Sequence, residues 1–176
     1  MRGPHPVVID ASAAIAIIRD EPDGRVAMEI LTSVESVGTR VIVPLHFWLE
    51  LMNPLMTRYR MAGLDVLEAI HDLDRFGIET IEADRALVLA TLDLAERHGL
   101  TAYDAMYLAL TIAFDGRLLT FDDELRTAAG ARAVGATRYR LSVAPGAYER
   151  DVTWPRYREA SAYLAHLRAE ALAGRG

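Results

Sequence analysis

The stretch LTAYDAMYLALTIAFDGRLLTFDDEL, residues 100–125, decides the fold. Thr101 precedes Tyr103, Asp104 and an apolar-periodic run through Met106, Leu110 and Ala113, the pattern of a helix start, and Gly116 ends the helix. Arg117 to Phe121 is short and apolar, which predicts a buried strand. Asp104 then falls in a first helical turn and Asp122 just past the carboxyl end of a strand, the edge at which open α/β sheets bind ligands.

Upstream, the same strand-then-helix grammar repeats. Val7-Val8-Ile9 is a β-branched run that ends at Asp10 and passes at once into a helix from Ala11 to Ile18, with a carboxylate at the joint. Residues 19–24 read as a turn, and a second helix runs through Val26, Ile30 and Leu31 to about Ser36. Arg40 to Val43 makes the next buried strand. The helix after Pro44 carries apolar residues nearly all round, which predicts burial, with Glu50 its one acid. Pro54 cannot donate to the Glu50 carbonyl, so a bend is expected at the acid.

Leu64 to Phe76 predicts an amphipathic helix, Ile78 to Glu82 an alternating strand, and Asp84 opens a helix over Leu87 to Leu94. A helix over Asp122 to Ala129 and a polar edge strand over Thr137 to Leu141 complete an α/β domain with a central, mostly parallel sheet flanked by helices. That domain spans residues 5–141. Residues 142–176 form a C-terminal extension, a linker between Ala144-Pro-Gly146 and Trp154-Pro155 followed by an amphipathic helix with Tyr157, Ala160, Leu164, Leu167 and Ala171 on one stripe. The stripe packs on its own chain or on a partner.

The inventory narrows the chemistry. With 176 residues and 52% hydrophobic content, one well-packed domain is expected. There is no cysteine, which excludes disulfides, thiolate zinc sites and cysteine nucleophiles. All 19 basic residues are arginine, so Schiff-base chemistry and the P-loop are excluded, along with phosphotransfer pockets that rely on lysine. No apolar run reaches the length that spans a bilayer, and a cytoplasmic protein with no membrane partner is expected. The net charge of −6 is uneven: residues 1–125 hold 10 Arg against 21 acids, and residues 126–176 hold 9 Arg against 4. The basic part is either a solvated face or a contact surface for phosphate or a partner.

Four acids stand at strand ends or in apolar helices: Asp10, Glu50, Asp104 and Asp122. Three have a local explanation as helix caps, Asp104 within a Thr101-x-x-Asp104 capping box. Glu50 does not, since Phe47, Trp48, Leu49, Leu51 and Met52 surround it and an unpaired buried charge costs several kcal/mol, of the order that burying a polar group without a partner costs. Carboxylates crowded at one sheet edge repel one another, and Mg²⁺ or Mn²⁺ relieves that repulsion through hard oxygen ligands. His46 lies one helical turn before Glu50 and reads as structural.

Four pieces together resemble the PIN-domain family, and within it the VapC-type ribonuclease toxins: VVIDASA with Asp10 and Ser12, LELMN with Glu50 and Asn53, AYDAMYLAL with Asp104, and RLLTFDDEL with Thr120 and Asp122. The resemblance implies a PIN-like fold and an acidic metal-binding quartet of Asp10, Glu50, Asp104 and Asp122, supported by Ser12, Asn53 and Thr120. Of the tandem acids Asp122 and Asp123, Asp122 is favoured because it follows the Thr-Phe pair directly. It further implies a Mg²⁺-dependent endoribonuclease acting as the toxin of a type II toxin–antitoxin system, a homodimer, and an inhibiting antitoxin. Arg138, Arg140, Arg156 and Arg158 are the candidates for RNA phosphate contacts. The rival readings are a catalytically silent PIN-like module that binds RNA or protein, and a Mg²⁺ phosphatase. No acid of the quartet is missing, which argues against the first; Asp10-Ala-Ser in place of Asp-x-Asp argues against the second.

Overall fold

The computed structural model of the chain describes residues 5–135. Five strands form one sheet: β1 (Val7–Ile9), β2 (Val41–Pro44), β3 (Ile78–Ile81), β4 (Arg117–Leu119) and β5 (Ala133–Val134), in the order β3-β2-β1-β4-β5. Every pairing is parallel. The α/β fold expected from the strand-helix alternation is therefore present, with seven helices on the sheet: α1 (Ala11–Ile18), α2 (Pro22–Ser36), α3 (Phe47–Thr57), α4 (Gly63–Asp74), α5 (Arg85–His98), α6 (Ala102–Ala113) and α7 (Asp123–Ala129).

Parallel strands covered on both faces need apolar side chains at consecutive positions. β1, β2 and the end of β4 supply them: Val8, Ile9, Ile42, Val43, Leu118 and Leu119 are fully buried. Each such side chain contributes roughly 1.5–3 kcal/mol of burial. β3 is an edge strand and only half-covered, so Glu79 faces out and pairs with Arg40. Asp84 and Thr101 cap α5 and α6 with their side chains, and Gly99 closes α5 in the left-handed region at φ 67°.

The strand order explains where a site forms. From β1 the chain steps outward to β2 and β3, then returns to place β4 on the other side of β1. The reversal opens a crevice beyond the carboxyl ends of β1 and β4, where Ile9 pairs with Leu119. Asp10 follows the first strand and Thr120 the second.

Two expectations are corrected. Residues 22–24 are the first turn of α2 and not a turn between helices, because Pro22 suits a first helical position and Gly24 lets two helices meet. A Cβ on Gly24 would stand 2.1 Å from the Ala16 carbonyl oxygen of α1. Helix α3 is buried along one stripe only, Phe47, Leu51 and Leu55, while Leu49 is 63% exposed. It runs through Pro54 to Thr57 as one helix. The last described strand is Ala133–Val134; the edge strand expected over residues 137–141 and the extension over 142–176 lie outside the described residues. No helix among the described residues is long and apolar enough to cross a membrane.

Candidate metal centre

The switch-point crevice is an open cleft of about 550 Å³, and Asp10, Glu50, Asp104 and Asp122 all line it. Ser12 and Asn53 line it as well, with His46 and Tyr103. Asp123 does not; it pairs with Arg126 on the exposed side of α7. The acids come from four different elements, and the fold brings them together from positions far apart in the chain.

Asp10 occupies the N-cap position of α1 without a side-chain cap bond. Two hydroxyls hold its carboxylate: Ser12 donates to Oδ2 at 2.5 Å and Thr120 donates to the same oxygen at 2.8 Å. Burial is the largest influence and pushes the Asp10 carboxyl up, while Ser12, Thr120 and the amides of Ala11 and Ser12 pull it back. The Ser12 hydroxyl also accepts from the Phe121 amide at 3.0 Å, and Thr120 accepts from the Asp122 amide at 3.0 Å. Ser12 and Thr120 thus clamp the end of β1 to the end of β4.

Asp122 does cap its helix, since its Oδ1 accepts from the Leu125 amide at 2.7 Å. Asp104 forms half of the expected capping box. Its amide donates to the Thr101 hydroxyl at 3.1 Å, and that hydroxyl donates back to the Asp104 carboxylate at 2.6 Å. Capping leaves each carboxylate with further lone pairs, so local and site roles coexist.

Glu50 is half-buried and receives the Tyr107 hydroxyl on Oε2 at 2.7 Å. Burial raises the Glu50 carboxyl most, the Tyr107 bond lowers it, and the charges of Asp10 and Asp104 raise it further. The polar face that its apolar neighbours seemed to deny it is the cleft itself. His46, read from sequence as structural, also stands here: its Nε2 is 3.6 Å from Glu50 Oε2, and burial pushes the imidazole down against the opposing influence of the Tyr103 backbone and Asp104. Among the described residues that Nε2 is buried without a hydrogen-bond partner.

Among the described residues no arginine lines the cleft. Among the described residues, no three acids or histidines already stand close enough to grip one ion. The donor set nonetheless fits a hard divalent cation, because Mg²⁺ keeps several of its waters and takes one or two carboxylates directly. Two of the four acids are raised in ways that a nearby positive charge would reverse.

Sequence reasoning singled out the four acids that line the cleft and the hydroxyls of Ser12 and Thr120. It missed Tyr107, which reads as a core aromatic among Leu108, Ala109 and Leu110. The candidate phosphate contacts Arg138, Arg140, Arg156 and Arg158 lie outside the described residues.

Comparison with known proteins accords with this architecture. The chain is 28% identical over 123 residues to Ribonuclease VapC3 of Pyrobaculum aerophilum, covering 68% of this chain and 91% of that protein. The crystal structure of PAE2754 from the same organism superposes with a TM-score of 0.54 at 22% identity, over 74% of this chain and 90% of that one, a likeness of fold. The PIN domain model matches residues 7–131, through every strand but β5, and the chain belongs to the PIN-domain family.

Proposed function

We propose that the protein is a Mg²⁺-dependent endoribonuclease that hydrolyses RNA phosphodiester bonds, with Mn²⁺ as a working substitute. The observation that carries this reading is a cleft lined, among the described residues, by four carboxylates and no arginine, at the sheet's switch point. Such a cleft repels a polyanion until a cation occupies it, and a nuclease joins the two requirements. The similarity to Ribonuclease VapC3 supports the choice of RNA as substrate.

Asp10, Glu50, Asp104 and Asp122 would hold the ion. When bound, Mg²⁺ would supply charge neutralisation at the phosphoryl oxygens and lower the pKa of a water. Ser12 and Thr120 fix the Asp10 carboxylate, and Thr120 also sets the backbone at Asp122. Asn53, exposed on α3 at the cleft, is a neutral hydrogen-bonding group for the scissile strand.

In the same reading the protein is the cytoplasmic toxin of a type II toxin–antitoxin pair, a homodimer held in check by an antitoxin. An arginine-bearing antitoxin segment suits a carboxylate cleft by direct ion pairing. With the PIN domain taken over residues 5–141 and a C-terminal extension over 142–176, Arg138, Arg140, Arg156 and Arg158 are the candidates for RNA backbone contacts.

Purified protein incubated with labelled total RNA, with Mg²⁺ and with EDTA, tests the activity. Cleavage is expected with Mg²⁺ alone and is lost in a folded Asp104→Asn variant. RNA binding without cleavage would favour the silent module instead.

A further inference from the structure

Behind the cleft, Tyr107 is a large side chain with a polar tip that is fully buried. It lies on α6 one turn after Asp104. A buried hydroxyl requires a partner, and this one donates to Glu50 Oε2 on α3 at 2.7 Å. The Ala11 amide, next to Asp10 at the start of α1, and the charges of Glu50 and Asp10 all influence the same hydroxyl. The phenol tip therefore stands where the elements bearing Asp10, Glu50 and Asp104 meet.

The ring has little freedom to leave that point. His46 packs edge-on against it with ring centroids 5.1 Å apart, and tyrosine has only two side-chain torsions to adjust. Both groups that approach the Glu50 carboxylate, the Tyr107 hydroxyl and His46 Nε2, stand against Oε2. Among the described residues nothing bonds Oε1. Packing alone would accept phenylalanine here, so the hydroxyl has a purpose beyond filling space.

We propose that Tyr107 is the positioning residue of the metal centre: by holding Oε2 of Glu50 from the helix that carries Asp104, it sets the spacing of those two acids and presents Oε1 to the cation. This rests on the reading of the cleft as a metal site. Carboxylate ligands are commonly oriented by such outer hydrogen bonds, whose loss weakens metal binding by about 10–100-fold.

Mn²⁺ binding to the full chain, followed by the electron paramagnetic resonance of free Mn²⁺, tests the role without recourse to activity. Wild type is compared with Tyr107→Phe, which removes only the hydroxyl, and with Thr111→Val. Thr111 is equally buried one turn farther along α6, and its hydroxyl bonds the Tyr107 carbonyl and not the phenol. The expected result is a dissociation constant raised about tenfold or more in Tyr107→Phe, and unchanged within about twofold in Thr111→Val, with both variants folded by circular dichroism in EDTA. Wild-type affinity in Tyr107→Phe overturns the proposal, as does equal weakening in Thr111→Val, which would reveal general loosening of α6. If wild type binds no Mn²⁺, the metal reading fails first and takes this role with it.

Discussion

The hydroxyl of Thr120 donates to Asp10 Oδ2 across 2.8 Å, joining the residue after β4 to the residue after β1. The same oxygen of Thr120 receives the Asp122 amide, so one fully buried hydroxyl orders two acids of the cleft. Replacing Thr120 with valine keeps the shape, leaves the Asp122 amide without this acceptor and leaves Asp10 Oδ2 to Ser12 alone. The loss should be about 1–3 kcal/mol at neutral pH, measured by urea denaturation, with an accompanying fall in RNA cleavage. Unaltered stability would show that water replaces the hydroxyl at no cost.

Asp10 should destabilise the metal-free protein at neutral pH. Burial raises its folded pKa above the unfolded one, so its favourable contribution is full below the unfolded value and is lost as pH rises through the folded value. Asp10→Asn should therefore melt higher than wild type in EDTA at pH 7.5, by about 2–4 °C if the penalty is near 1 kcal/mol. Toward pH 4 the difference should shrink. A lower melting temperature at both pH values would mean that the hydroxyl clamp outweighs desolvation.

Added Mn²⁺ should reverse that penalty. A ligand present at about 100 times its dissociation constant stabilises by about 2.7 kcal/mol. Protons compete for Asp10 and Glu50, both raised, so the thermal shift should be larger at pH 7.5 than at pH 5.5 and should vanish with EDTA. Differential scanning fluorimetry at the two pH values gives the comparison. A shift independent of pH would remove the raised acids from the ion's coordination.

Gly24 and Gly63 make a contrasting pair. A Cβ on Gly24 would press on the backbone oxygen of Ala16, which has no flexible side chain to yield, whereas Gly63 has nothing within 4 Å. Gly24→Ala should cost about 3 kcal/mol or more by overpacking, and because α1 carries Ser12 it should also weaken the cleft. Gly63→Ala, at the start of α4, should be neutral or stabilising by about 0.5–1 kcal/mol. Thermal melts of the two variants decide the matter.

Much of this was legible in the chain because strand and helix signals are local. The β-branched run before Asp10 and the apolar run before Asp122 fixed the two joints at which the cleft opens. What was illegible is tertiary. Pro-Asp-Gly at 22–24 carries turn chemistry, and only the approach of Ala16 shows why glycine sits inside a helix. A helix apolar nearly all round predicts burial, yet Leu49 and Met56 face outward, since composition does not say which stripe finds a partner. Tyr107 was hidden for the same reason: its hydroxyl meets a glutamate 57 positions away, and no periodicity reports that. Strand β5, two residues long, is too short to leave a pattern.

β1 and β4 are only three residues each and run side by side, Val8 beside Leu118 and Ile9 beside Leu119. Side chains on such segments alternate sides, so inserting a single amino acid between Gly116 and Thr120 would swing Thr120 to the opposite surface of the sheet. The same insertion in the stretch joining α4 to β3 would be absorbed far from the joint. Length variation in this protein is therefore tolerated unevenly: these two three-residue strands act as a spacer that fixes which surface of the sheet Thr120 faces.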